Sequence, residues 1–243
     1  REPDILGECP LWHPTEQVLY WVDAFAPALR RWDPQTRVVR SWGVPWDVGS
    51  IVACRSGGLM AGTRAGFQRL RWSITGELTV QAWADPLRHD RRLMLNDGKC
   101  DRRGRYWCAS VHSDFQGRQA ELFCLHPDGR CERMDGGFII GNGIAFSPDG
   151  ATCDREGRYW CALVHGGAVG CISPGGQLLG RWRVPCPHPT MVAFGGVRRD
   201  RLFITSATVL LPEAERTAWP QAGALMVMDG LGAVGVPEPL FDD

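Results

Sequence analysis

The chain has 243 residues, 44% of them hydrophobic and 22% charged, with a formal net charge of zero. No basic excess points to nucleic acid, and no apolar run approaches the ~18 residues of a membrane span. The length suits one large all-β or α/β domain as readily as two smaller ones. Arg1-Glu2-Pro3-Asp4 lacks the apolar core of a signal peptide. Ten cysteines include no Cys-x-x-Cys pair, which argues against zinc-ribbon or thioredoxin chemistry. Cys100, Cys108, Cys153 and Cys161 fall within or beside apparent strands, where the side chain serves as a small hydrophobe. Reduced thiols in a cytoplasmic protein are therefore expected.

In chain order, short apolar runs alternate with polar turns. Val18-Leu19-Tyr20-Trp21-Val22-Asp23 is followed by Leu29-Arg30-Arg31-Trp32-Asp33-Pro34, then by Val38-Val39-Arg40-Ser41-Trp42. Ser50-Ile51-Val52-Ala53-Cys54 leads through Arg55-Ser56-Gly57-Gly58 to Leu59-Met60-Ala61-Gly62 and Gly66-Phe67-Gln68-Arg69-Leu70. Strand, turn, strand at this spacing reads as all-β.

An internal repeat sharpens that reading. Cys100-Asp101-Arg102-Arg103-Gly104-Arg105-Tyr106-Trp107-Cys108-Ala109-Ser110-Val111-His112 returns at residues 153–165, with only Arg103/Glu156 and Ser110/Leu163 changed. Each copy reads as a strand, an Asp-x-x-Gly turn and a second strand, and each is followed by a further turn-bounded pair. Four-strand units at a period of ~40–50 residues indicate a β-propeller, of five to six blades at this length. The chain is expected to form one propeller domain over 1–243. Its Trp residues, Trp21, Trp32, Trp107 and Trp160 among them, suit the gaps between twisted sheets.

The stretch Gly141-Asn142-Gly143-Ile144-Ala145-Phe146-Ser147-Pro148-Asp149-Gly150 sets a short apolar run between two turn signals. Asn142 and Asp149 offer hard oxygen atoms of the kind divalent cations take. The same residues also suit ordinary tight turns.

Several segments, in order, resemble the sugar lactonases of the gluconolactonase and regucalcin family. They are Leu6-Gly7-Glu8-Cys9-Pro10-Leu11-Trp12, Leu95-Asn96-Asp97-Gly98-Lys99, Gly141 to Ser147, Pro189-Thr190-Met191-Val192-Ala193-Phe194-Gly195-Gly196, Leu202-Phe203-Ile204-Thr205-Ser206-Ala207 and Gly235-Val236-Pro237-Glu238-Pro239-Leu240-Phe241. The resemblance implies a six-bladed propeller with one divalent cation (Ca, Zn, Mg, Mn or Fe(II)) in its channel. By the same resemblance, Glu8, Asn142 and Asp149 are the metal ligands, Asp149 is also the catalytic base, and Asn96 and Asp114 contact substrate. Such an oxygen set can hold a hard cation, which polarises a carbonyl and acidifies a bound water. A neighbouring carboxylate can then take that water's proton.

Two departures stand out. Family members carry about one blade's worth of chain between the Ser-Pro-Asp-Gly of the Asn strand and the later Pro-Asp-Gly. Here Gly150 runs directly into Ala151-Thr152-Cys153, so Asp149 belongs to either motif. Intact motifs on both sides favour six blades, with a segment absent after Gly150. Met94 stands where many members have a basic, substrate-contacting residue, so either the sugar differs or another group substitutes.

The expected function is metal-dependent hydrolysis of sugar (aldono-) lactones to aldonic acids by a cytoplasmic enzyme. Its partner is a small sugar lactone rather than nucleic acid or membrane; nothing in the sequence bears on oligomeric state. A paraoxonase-like esterase or organophosphate hydrolase, or a non-catalytic metal-binding propeller, is the alternative. The absence of Gly-x-Ser-x-Gly and of a paired-His zinc motif disfavours covalent and zinc-protease mechanisms. His112 and His165 hold equivalent repeat positions, which suggests a shared structural place.

Overall fold

The computed structural model of the chain describes residues 2–144 and 153–243. Eighteen strands carry the fold among them. The first twelve are β1 (Gly7–His13), β2 (Val18–Asp23), β3 (Ala28–Trp32), β4 (Val39–Gly43), β5 (Val48–Ala53), β6 (Leu59–Thr63), β7 (Gly66–Trp72), β8 (Leu78–Ala84), β9 (Leu93–Cys100), β10 (Tyr106–His112), β11 (Ala120–Leu125) and β12 (Cys131–Phe138). After residue 152 come β13 (Tyr159–Leu163), β14 (Ala168–Ile172), β15 (Leu178–Arg183), β16 (Pro189–Gly195), β17 (Arg201–Ser206) and β18 (Met226–Met228). Short 3-10 turns occupy Val164–Gly166 and Glu213–Ala218, and no described helix is long and apolar enough to cross a membrane.

Consecutive strands pair antiparallel into five sheets: β1 to β4, β5 to β8, β9 to β12, β13 to β15 and β16 to β18. These are five blades, and the six-bladed expectation is corrected accordingly. Strands β1 to β12 use one blade's worth of chain per sheet. Among the described residues the second copy of the repeat then supplies β13 as the next strand after β12, and no strands remain from which a sixth sheet could form.

The chain divides into two compact units, Arg1–Ser41 with Ala145–Pro237, and Trp42–Ile144 with Glu238–Asp243. In the first, Trp160, Val169, Val192, Phe194, Leu202 and Ile204 form one core, and Trp12, Leu19, Trp21 and Phe203 another. Trp32 tilts against Phe203 at 5.7 Å, across two sheets as expected. In the second unit, Val52, Met60, Phe67, Leu95, Tyr106, Cys108, Phe123 and Phe241 pack together. Burying these side chains contributes roughly 1.5–3 kcal/mol each, and many of them lie on strands buried on both faces, such as β2, β5 and β6.

Within each unit a distant segment is stitched into a sheet. Cys54 bridges Phe241 in parallel, and the nearly buried Lys99 ammonium meets Glu238 Oε1 at 2.8 Å. Trp21 Nε1 donates to the buried Asp4 carboxylate at 2.8 Å, and Leu6 bridges Ala207. None of the ten cysteines forms a disulfide, and seven of them are buried.

Candidate functional site

The first strand of four sheets carries a bulge in its pairing with the second. In β9, Leu95 faces Ser110 and Gly98 faces Cys108, so Asn96 and Asp97 together oppose Ala109. In β1 the register jumps between Glu8 and Leu11, in β16 between Pro189 and Val192, and in β5 between Val48 and Ser50. A bulge adds a residue, bends the strand and re-aims its side chains. Glu8 and Asn96, two of the residues expected at a site, both stand at such irregularities.

In the second unit the bulge turns Asn96 and Asp97 onto the Gly-Asn-Gly segment. Asn96 Nδ2 donates to the Gly141 carbonyl at 2.9 Å, and the Ile144 amide donates to Asp97 Oδ2 at 2.9 Å. The two bonds clamp the peptides on either side of Asn142. Gly141 packs so tightly on Ala109 that a Cβ would collide with it, and Gly143 takes φ +73°, a conformation glycine adopts freely. Behind the bulge, Ser50 Oγ donates to the Asn96 carbonyl at 2.5 Å and lies 2.7 Å from the Tyr106 hydroxyl. A Cβ on Gly49 would sit 2.5 Å from Asn96 Cα, so this close approach requires glycine.

Asp97 is buried. Burial pushes its carboxyl above the usual range, against the pull of the Ile144 amide and the Lys99 ammonium. Its Oδ1 has no partner of ordinary hydrogen-bond geometry among the described residues. Asn142 is exposed, and none of the hydrogen bonds among the described residues involves its side chain. The backbone on both sides of Asn142 is thus held in place, while its carboxamide has no hydrogen-bond partner among the described residues.

Asp114 ends up elsewhere in the local network. Its Oδ1 accepts the Gln116 amide at 2.8 Å and pairs with His112 Nδ1 at 2.7 Å. The Gln116 amide first, and then His112, hold this carboxyl below the usual range. Half of the side chain still faces solvent. His165, at the equivalent repeat position, is exposed and packs edge-on against His188 at 5.2 Å. The two histidines thus share a sequence position but have different partners. Met94 is buried, and Arg64 NH2 approaches its sulfur at 3.7 Å.

In the first unit, Glu8 is half-buried on β1. Thr190, at the bulge of β16, donates Oγ1 to the Gly7 carbonyl at 2.5 Å and pairs with Thr205 Oγ1 at 2.9 Å. That contact fixes the peptide next to Glu8. Cys9 takes φ +47°, a strained value for a residue other than glycine. Asp149, expected as ligand and base, lies outside the described residues. Among the described residues no three His, Cys, Asp or Glu side chains cluster as a metal site.

Sequence reasoning overlooked Asp97, Ser50 and Thr190. Asp97 stood beside Asn96 in Asn-Asp-Gly-Lys, and an acid next to an amide in a bulged strand was the available signal. Ser50 and Thr190 carried no local signal, because each acts on a residue far away in the chain.

The family described as "SMP-30/Gluconolactonase/LRE-like region" matches residues 6–152 and again 147–208. Residues 147–152 are therefore matched twice, where two motifs are fused. A 6-deoxy-6-sulfogluconolactonase from Pseudomonas putida is 31% identical, over 99% of this chain and 96% of the relative. That alignment spans 286 positions against the 243 residues here, so at least 43 positions of the relative have no counterpart, about one blade. A pentonolactonase, XacC, from Haloferax volcanii is 30% identical, over 96% of this chain and 93% of the relative. The solved structure of a calcium-binding protein, regucalcin, from Agrobacterium tumefaciens superposes with a TM-score of 0.90 at 22% identity, over 99% of this chain and 95% of that one; that likeness concerns the fold. With the family matched across most of its length, the chain belongs to the SMP-30/gluconolactonase/LRE-like family.

Proposed function

We propose that this chain is a lactonase that opens sugar lactones to aldonic acids. The reading is carried by the clamped Gly141–Ile144 segment, which presents an exposed Asn142 carboxamide that has no hydrogen-bond partner among the described residues. It is supported by relatives named for hydrolysing a sulfogluconolactone and pentonolactones. Water adds to the carbonyl carbon, the bond to the ring oxygen breaks, and that oxygen leaves with a proton as a hydroxyl. The products are one carboxylic acid and one alcohol on the same chain.

We assign Glu8, Asn142 and Asp149 as oxygen donors for one divalent cation. The donor chemistry fits: a half-buried carboxylate and an exposed amide oxygen are hard ligands. A cation bound there would polarise the lactone carbonyl and lower the pKa of water. Asp149 is the base that takes the proton of the attacking water. Asn96 and Asp114 meet the sugar hydroxyls, Asn96 from the bulge and Asp114 through the carboxylate oxygen not engaged by His112. Ten cysteines without a disulfide suit a reducing, cytoplasmic setting.

The test is acid release in a pH-stat across pentono- and hexonolactones, with and without EDTA. Hydrolysis that EDTA abolishes and added divalent cation restores is expected. Silence across the panel would refute the lactonase reading, and full activity in EDTA would refute the cation.

A further inference from the structure

Resting on the lactonase reading, the structure assigns substrate selection to a cationic ledge on the second unit. We propose that Arg64 and Arg91 recognise an anionic group, sulfonate or phosphate, at the end of the lactone remote from its carbonyl. Leu93 and Leu95 turn into the core of this unit, so Met94 and Asn96 leave the opposite face of β9, about 7 Å apart along the strand. Met94 offers no polar hydrogen-bonding group of its own. Arg64, from the β6–β7 turn, lays its guanidinium against the Met94 sulfur at 3.7 Å. The distance from there to Asn96 is about that spanned by a six-carbon sugar.

The guanidinium is held on two sides. Nε donates to Asp47 Oδ2 at 2.8 Å, NH2 meets the same oxygen at 2.6 Å, and NH1 donates to the Arg91 carbonyl at 2.9 Å. An Arg fork fixed in this way loses little freedom when it takes an oxyanion. One NH1 hydrogen has no acceptor among the described residues, and about a third of the side chain faces solvent. The Arg91 side chain is exposed and has no ionic partner among the described residues, whereas Arg92 is paired with Asp90 at 2.7 Å. Asp47 thus balances Arg64 alone, and the exposed Arg91 leaves the ledge one positive charge in excess. A tetrahedral oxyanion matches that charge and geometry better than a neutral hydroxymethyl group does.

The test compares kcat/KM for 6-deoxy-6-sulfogluconolactone and 6-phosphogluconolactone with that for D-glucono-1,5-lactone. In wild type the anionic lactones are preferred, and the preference weakens with ionic strength. Arg64→Gln is expected to lower the anionic-to-neutral ratio at least tenfold, chiefly through KM. Asp47→Asn is expected to raise it several-fold, because the carboxylate competing for the guanidinium is gone. A purely structural Asp47–Arg64 pair would instead move both variants in the same direction. A ratio within twofold of wild type in both variants overturns the ledge while leaving the lactonase reading intact. Calorimetric titration with 6-phosphogluconate against gluconate reads the same subsite without turnover. At least tenfold weaker 6-phosphogluconate binding by Arg64→Gln is expected, and equal binding overturns the proposal even where no lactone is hydrolysed.

Discussion

The two copies of the thirteen-residue repeat differ at two positions, yet they occupy unlike surroundings. Their turns are built identically. Asp101 Oδ1 accepts the Arg103 and Arg105 amides, and its Oδ2 accepts Arg105 Nε at 2.7 Å and Trp107 Nε1 at 2.9 Å. Asp154 does the same with Glu156, Arg158 and Trp160, at 2.6 Å to Arg158 Nε and 2.9 Å to Trp160 Nε1. Beyond the turn the copies diverge. In β10, Tyr106, Cys108 and Ala109 are buried between β9 and β11, while in β13 Tyr159, Cys161 and Ala162 are half-buried.

The tryptophans invert that order. Trp160 is 1% exposed and packs on Trp182 at 5.0 Å and Phe194 at 5.7 Å. Trp107 is half-exposed beneath the Arg105 guanidinium at 5.2 Å. Local sequence therefore dictates the turn network, whereas the neighbouring strand dictates what each face does. Only the first copy backs a described strand, β9, that bears candidate site residues.

The comparison can be broken most forcefully at the tryptophans. Trp160→Ala is expected to cost about 3–5 kcal/mol and Trp107→Ala about 1 kcal/mol, read as urea midpoints. Equal losses would mean that the two indoles have the same surroundings. A smaller separation is expected at the turn aspartates. Asp154→Ala strands a buried Trp160 Nε1 and should cost about 3 kcal/mol, whereas Asp101→Ala should cost about 2 kcal/mol because solvent reaches Trp107. The reverse order would contradict the burial difference.

Asp101 also gives this difference a pH signature. Burial raises its carboxyl, but hydrogen bonds from Trp107 and Arg105 outweigh that and leave it below the usual range. Its contribution to stability is therefore complete above the unfolded pKa, about 3.9, and is lost as pH falls through the lower folded value.

Much of the fold was legible in the sequence. Alternating runs gave the strands, and the repeat gave the hairpin that recurs as β10 and β13 with its Asp–Trp bond. The ordered motifs led to the family. The blade count was not legible, because intact motifs on both sides of Gly150 favoured six blades with a segment absent, whereas the described strands pair into five sheets. The bulges were also hidden, since which two residues oppose one depends on the partner strand rather than on Asn96 or Glu8 themselves. Asp97 stood in the Asn-Asp-Gly-Lys motif without a role of its own, and only its bond to Ile144, 47 positions away, shows that it holds the Asn142 segment. Arg64 lay 30 residues from Met94, and the β6–β7 hairpin brings them together.

The most direct measurement is lactone turnover by Asn142→Ala alongside its melting temperature. An exposed side chain with no hydrogen bond among the described residues should leave the melting temperature within about 2 °C. If its oxygen serves the reaction, kcat/KM falls at least a hundredfold. Unchanged turnover in a folded variant would contradict the assignment of this clamped segment as the centre of the site.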